Sequence, residues 1–258
     1  MTRKLFAFDI DGTLLDSNKQ ALQSTREALV ALRQAGHLVT IATGRSRFHA
    51  REIIRDLEFD NYILCNGAAA FLNHQQVYRN LLNREELDRF IAHTNTLGID
   101  TAFISMDDIK RFTSNNIERM DDAMRSFGAQ LPTINPLFLE EQDVYQALAF
   151  YDRSYEGQFD LDYPSLSFVR WHENCVDVVP KGGSKAATIL SVAETVGIAR
   201  ENVIAFGDGQ NDREMLREVG LGVAMGNATP DIQAEANFVT DTNDNDGIFK
   251  ALKILELL

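Results

Sequence analysis

The chain has 258 residues, 45% of them apolar and 24% charged, with a formal net charge of −13. Those proportions suit a globular protein of one large or two modest domains. They exclude a transmembrane helix, because no apolar run approaches the roughly 18 residues one needs, and a nucleic-acid surface, because clustered Lys and Arg are missing.

The opening "MTRKLFAFDIDG" starts basic, but its apolar run is short and is cut by Asp9, unlike a signal peptide. Cys65 and Cys175 stand far apart and make no disulfide framework. A cytoplasmic location is expected. "KLFAF" reads as a buried strand ending at Asp9. Ser24 and Glu27 in "STRE" fit a capping box, and Ala28, Leu29, Leu32 and Ala35 then repeat at helical spacing up to Gly36. "HLVTIA" is a second strand, running into Thr43-Gly44-Arg45. The next helix has Phe48, Ile53, Ile54 and Leu57 as its apolar face, and "YILCN" is a third strand. This alternation predicts a parallel sheet with crossover helices.

The rhythm changes after Gly67. "AAAFL" and "QQVYR" around Asn73-His74 read as a hairpin. A helix from about Arg84 to Leu97 has Asn83 as its cap and stops at Gly98. Further strands are "TAFIS", "KRFT", "VYQALAF", "LSFVRW" and "CVDVV", and "IERMDDAMRSFG" is a short helix with Ile117, Met120, Met124 and Phe127 inward. The first rhythm returns after Pro180: a helix capped by Ser184, the strand "NVIAF", a short helix in "DREMLREVG" and the strand "LGVAM". The pattern predicts an α/β domain formed by residues 1–80 and 181–258, interrupted by an α+β domain over 81–180.

Three of the core strands end in polar groups at equivalent positions. Side chains two apart in a strand share a face, so Asp9 and Asp11 point the same way and Ile10 turns away. The second strand brings Thr43-Gly44-Arg45, and the returning strand brings Asp208, Asn211 and Asp212 in "GDGQND". Ligands bind at the carboxyl ends of such strands. Taken singly, "DGT" and "GDGQND" are turn formers and Lys185 a surface lysine; together, at equivalent ends of parallel strands, they describe a site. Packed carboxylates repel one another unless a cation sits among them, and hard oxygen ligands suit Mg²⁺, with Asp9 and Asp208 as ligands beside a phosphate. Thr43, Lys185 and the backbone N–H groups of Gly12 and Gly44 suit a phosphoryl group. His172 and Cys175 in "HENC" are half of a zinc site without a second half, so no zinc is expected. "NAT" at Asn227 matches a glycosylation sequon by chance.

"DIDGT", "TGR", the lysine of "KGGSK" and "GDGQND" resemble, in that order, the four motifs of the haloacid dehalogenase superfamily. The spacing, the "NG" at Asn66-Gly67 and "VAMGNA" resemble its Cof-type branch, phosphatases with a C2B-type cap (subfamily IIB). The resemblance implies a Rossmann-like core with a parallel sheet and an inserted α+β cap that selects the substrate. It implies Asp9 as nucleophile and Asp11 as acid and base. It implies Mg²⁺ on Asp9, the Asp11 carbonyl and Asp208, with Asp212 behind them. Ile10, Gly12, Thr43, Gly44, Lys185 and Asn211 make up the phosphate-binding set. Arg45, Arg170, Trp171 and His172 are the candidate readers of the leaving group. The expected partner is a small-molecule phosphate ester, with neither nucleic acid nor membrane; the oligomeric state stays open. A phosphomutase or phosphotransferase, and a non-catalytic metabolite sensor, are the alternatives to a phosphatase.

Overall fold

The computed structural model describes residues 2–258. Its strands are β1 (Leu5–Phe8), β2 (Leu38–Ala42), β3 (Asn61–Leu64), β4 (Ala69–Leu72), β5 (Gln75–Arg79), β6 (Asp100–Ile104), β7 (Ile109–Arg111), β8 (Thr133–Ile134), β9 (Gln146–Phe150), β10 (Leu166–His172), β11 (Cys175–Pro180), β12 (Val203–Gly207), β13 (Leu221–Ala224) and β14 (Phe238–Val239). Its helices are α1 (Gln23–Gln34), α2 (Arg47–Asp56), α3 (Arg84–Thr96), α4 (Ile117–Ser126), α5 (Phe138–Glu141), α6 (Lys185–Thr195), α7 (Arg213–Glu218), α8 (Pro230–Gln233) and α9 (Gly247–Ile254). Two compact units result. One takes in the chain up to Gly44, Arg51–Tyr78 and Ser184–Leu258; the other takes in Arg45–Ala50 and Arg79–Gly183.

The sheet of the first unit runs β14-β13-β12-β1-β2-β3-β4-β5. From β14 to β3 the pairing is parallel, and β4 turns back antiparallel on β3. Strands covered on both faces read as continuous apolar runs rather than alternating ones, and every residue of β1, β2 and β12 is buried. Phe8 lies opposite Phe206 across the β1–β12 pair, and their rings stack at 4.9 Å. Each such ring contributes about 1.5–3 kcal/mol by leaving water. The strand order departs in both directions from β1, so the ends of β1, β2 and β12 border a topological switch point.

Two local expectations fail here. The α1 helix starts at Gln23 with Leu22 at its cap position and no side-chain cap; Ser24 donates instead to Asp246 Oδ1 at 2.5 Å. A capping hydroxyl is local, and a tertiary acceptor has won it. On α2 the buried residues are Ala50 and Ile54, with Leu57 buried just past its end; Ile53 is half-buried and Phe48 is exposed.

The sheet of the second unit runs β10-β11-β9-β6-β7-β8, antiparallel except between β7 and β8. Its core packs Phe90, Phe159 and Tyr163 edge to face. Asn83 caps α3 by accepting from the Glu86 amide at 3.0 Å. Among the described residues, no helix is long and apolar enough to cross a membrane.

The stacked pair that holds β1 to β12 gives a direct stability test. Truncating Phe206→Ala should lower the unfolding free energy by about 3–5 kcal/mol, read by urea denaturation followed by circular dichroism. A loss under about 1 kcal/mol would mean that this pair does not hold the two strands together.

Candidate active site

The chain leaves β1 at Asp9, whose amide continues the pairing by donating to Phe206 O at 3.0 Å. A tight loop follows. The Leu14 amide donates to Asp9 O at 3.3 Å and the Leu15 amide to Ile10 O at 3.0 Å, while the Ile10 side chain is buried. Gly12 has φ +81°, and a Cβ there would lie 2.2 Å from Asp208 Oδ2, so this position admits only glycine. The close approach brings the loop after β1 against the loop after β12. Thr13 Oγ1 donates to Asp208 Oδ1 at 2.9 Å, and Asn227 Nδ2 donates to Asp208 Oδ2 at 3.2 Å and to Gly12 O at 2.9 Å.

Lys185 enters from the start of α6. Ser184 caps that helix by accepting from the Ala187 amide at 3.2 Å. The lysine is 1% exposed, and its ammonium donates to Asp9 Oδ1 at 2.6 Å and to Asp212 Oδ1 at 2.7 Å. The other oxygen of Asp212 accepts from the amides of Asp208 (3.0 Å) and Gly209 (2.9 Å). Both oxygens of Asp212 are therefore engaged in holding the lysine and the turn.

A third wall comes from β2 and β3. Thr43 is buried, and Asn66 donates its amide to Thr43 O at 3.0 Å. Asn66 Oδ1 accepts from Asn211 Nδ2 at 3.0 Å, and a Cβ on Gly44 would meet that same oxygen at 3.0 Å. Cys65, Asn66 and Gly67 all have left-handed backbones, with φ of 51°, 54° and 95°. Such strain persists where the surroundings over-determine it, as at ligand sites. Here Thr188 Oγ1 holds Gly67 O at 2.7 Å, and a Cβ on Gly67 would meet Ser184 O at 2.4 Å.

Comparison with known proteins decides the family. The sequence pattern of the haloacid dehalogenase-like hydrolases matches residues 6–252. This chain is a haloacid dehalogenase-like hydrolase. A crystal structure of a protein from Geobacillus kaustophilus HTA426 is 39% identical, with a TM-score of 0.92, over 100% of both chains. The structure of BT4131, described as a sugar phosphatase of subclass IIB, is 32% identical with a TM-score of 0.87, over 99% of this chain and 100% of that one. The pyridoxal phosphate phosphatase YbhA of Escherichia coli (strain K12) is 30% identical, over 96% of this chain and 97% of YbhA. Within its family the hydrolase falls among the Cof-type phosphoric monoester hydrolases.

The electrostatics of the hydrolase site follow from its charge count. Oxygens of Asp9, Asp208 and Asp212 lie within 4.8 Å of one another, and Lys185 is the cation paired with Asp9 and Asp212. Burial pushes the Asp9 carboxyl well up, Lys185 pulls it down, and Asp212, Asp208 and Asp11 push it up again. Burial and Asp212 push Asp208 up to about 7, against the Thr13 hydrogen bond and Lys185. For Lys185, burial favours the neutral amine, but Asp212 and Asp9 more than reverse it, so the ammonium persists. Three carboxylates around one ammonium cannot all stay ionised without a further positive charge. The excess of hard oxygen donors fits a divalent cation such as Mg²⁺.

Asp9, Asp11, Gly12, Thr43, Gly44, Lys185, Asp208, Asn211 and Asp212 all belong to the first unit, as does Ile10, with its side chain in the core. Asp11 has an ammonium beside it, Lys19 Nζ at 3.3 Å from Oδ1. Arg45, Arg170, Trp171 and His172 belong to the second unit. Arg170 is occupied there: it donates to Glu156 Oε2 at 2.6 Å and to the carbonyls of Tyr151, His172 and Glu173, and covers the Tyr151 ring. Trp171 sits edge-on to Phe127, and His172 Nδ1 accepts from the Asn174 amide. Among the described residues, the one group of three or more potential ligands within reach of one another is Asp9, Asp208 and Asp212.

Sequence reasoning gave no role to Thr13, Asn66 or Asn227. Thr13 stands in "DIDGT", Asn66 in "NG" and Asn227 in "VAMGNA", but a hydrogen bond from Thr13 to Asp208, 195 residues away, or from Asn227 to Gly12 O, 215 residues away, has no local signature.

Two measurements check this geometry. Gly12→Ala should displace the Asp208 carboxylate and lower kcat/KM by about 10²-fold or more. In EDTA-treated protein, the raised Asp208 stabilises the fold below its unfolded value near 3.8 and loses that contribution as pH rises through about 7. His49, brought down to about 4 by burial and by Arg45, works in the opposite sense. The wild type should therefore lose more stability to urea from about pH 5 to about pH 8 than Asp208→Asn does, the shared His49 cancelling.

Proposed function

We propose that this hydrolase is a Mg²⁺-dependent phosphatase of small phosphorylated metabolites, sugar phosphates foremost, working through an aspartyl phosphate on Asp9. The observation that carries the reading is the Asp9 carboxylate at the end of β1, with one oxygen fixed 2.6 Å from the buried Lys185 ammonium and Asp208 within the same oxygen cluster. One oxygen is neutralised and aimed, and the other serves as the nucleophile.

In this reading an Asp9 oxygen attacks phosphorus and the ester P–O bond breaks. Asp11 gives its proton to the departing oxygen, so an alcohol leaves. Asp11 then takes a proton from the water that attacks the aspartyl phosphate, which frees inorganic phosphate and restores Asp9. Lys185, Thr43, the Gly44 amide and Asn211 hold the phosphoryl oxygens. Asn66 sets Asn211 in place, and Asp212 holds Lys185. Asp9, the Asp11 carbonyl and Asp208 would hold Mg²⁺, which supplies positive charge opposite the phosphoryl group. A chain of net charge −13 repels anions at long range, so that local charge is what lets a phosphate ester in.

BT4131 and YbhA are named for different leaving groups, a sugar and pyridoxal. Choice of leaving group belongs in this reading to the second unit, with Arg45, Trp171 and His172 as its readers. Arg170 drops out of that set because its guanidinium is engaged within the unit.

Asp9→Asn should lose at least about 10³-fold in phosphate release from a sugar phosphate while keeping its circular dichroism. Appreciable turnover by that variant would remove the covalent step. EDTA should silence the wild type and Mg²⁺ restore it. Phosphate appearing on a second added alcohol, rather than free in solution, would point to a phosphotransferase. Tight binding of an ester without turnover would point to a sensor.

A further inference from the structure

The loop that carries Asp11 has almost no secondary structure of its own. Its one ladder contact is an isolated bridge between Asp11 and Leu15. The stretch before α9 grips this loop from outside. Asn243 Nδ2 donates to Leu15 O at 2.8 Å, on the residue bridged to Asp11. Asp244 accepts from the Ser17 amide (2.7 Å) and the Ser17 hydroxyl (2.6 Å). The Asn243 amide donates to Asn227 Oδ1 at 3.0 Å, and Asn227 in turn holds Gly12 O at 2.9 Å.

The grip is itself anchored. Asp241 Oδ2 accepts from Lys250 Nζ on α9 at 2.6 Å, Asp241 O accepts from the Gly226 amide at 3.0 Å, and the Gly247 amide closes onto Thr242 O at 3.1 Å. These are exposed or half-exposed polar contacts, which add little to global stability. Those of Asn243, Asp244 and Asn227 reach the loop at Leu15, Ser17 and Gly12. Their consequence is placement.

We propose that Asn243, through Leu15 and Asn227, and Asp244, through Ser17, form a positioning clasp that sets Asp11 for proton transfer to the leaving oxygen. The clasp touches neither substrate nor reacting atoms; it acts through Asp11, and so rests on the reading of Asp11 as the acid. A general acid contributes about 10²–10⁴-fold, but only where the leaving group needs its proton. p-Nitrophenolate leaves without one; the alkoxide of a sugar phosphate does not.

The test is kcat/KM on p-nitrophenyl phosphate and on an alkyl phosphate for Asn243→Ala, Asp244→Ala, the double variant and Asp11→Asn, with Mg²⁺ affinity by calorimetry. Asn243→Ala and Asp244→Ala should lose about 10-fold or more on the alkyl ester and under about 2-fold on p-nitrophenyl phosphate. Mg²⁺ affinity should hold. Asp244→Asn, which keeps an oxygen for Ser17, should recover most of the alkyl activity. Equal losses on both esters, or no loss while Asp11→Asn discriminates, would overturn the clasp alone. Asp11→Asn losing no selectivity between the esters would overturn the acid assignment and the clasp with it.

Discussion

A buried ammonium between two carboxylates organises the catalytic end of the first unit. Lys185 is withdrawn from water and meets Asp9 at 2.6 Å and Asp212 at 2.7 Å. Burying an ion is costly, and removing one partner of such a pair costs about 3–5 kcal/mol. The lysine also stands at the start of α6, where the helix dipole disfavours a cation. That placement holds only because both carboxylates are supplied from elsewhere, one by β1 and one by the turn after β12. Asp212 in turn receives two backbone amides, so lysine, turn and Asp9 form one connected object.

The same arrangement leaves an imbalance of charge. Asp208 adds a further carboxylate to the group, and nothing in its immediate shell but a hydroxyl and an amide answers it. The result is a cluster of carboxylates that repel one another unless positive charge is supplied. Close backbone approach makes the cluster possible: a Cβ on Gly12 would collide with the Asp208 carboxylate, and one on Gly44 would press on Asn66. Asp9, Lys185, Asp208 and Asp212 all belong to the first unit, and Arg45, Arg170, Trp171 and His172 to the second.

The legible parts of the chain were those whose signal is local. "KLFAF", "HLVTIA" and "NVIAF" announced parallel strands because burial on both faces leaves no polar alternation. Asn83 and Ser184 announced helix starts, and the structure has them at those caps. "STRE" failed because Ser24 finds Asp246, 222 residues away, in place of its own helix. Phe48 failed because helical spacing alone does not say which face meets the core. The contacts of Thr13, Asn66 and Asn227 were silent for a related reason: each is made to a partner distant in sequence, Asp208 for Thr13, Asn211 for Asn66 and Gly12 O for Asn227.

The sequence by itself determined the alternating strands and helices, the interruption of one domain by another, and which polar groups end the core strands, because these follow from periodicity and residue type. Tertiary structure alone decided that those groups meet. It set Asp212 on the lysine, occupied Arg170 within its own unit, and brought Asn227 and the stretch before α9 against the loop of Asp11. Hydrogen bonds between residues some 200 positions apart depend on where the sheet order puts strand ends, and no local pattern encodes that order.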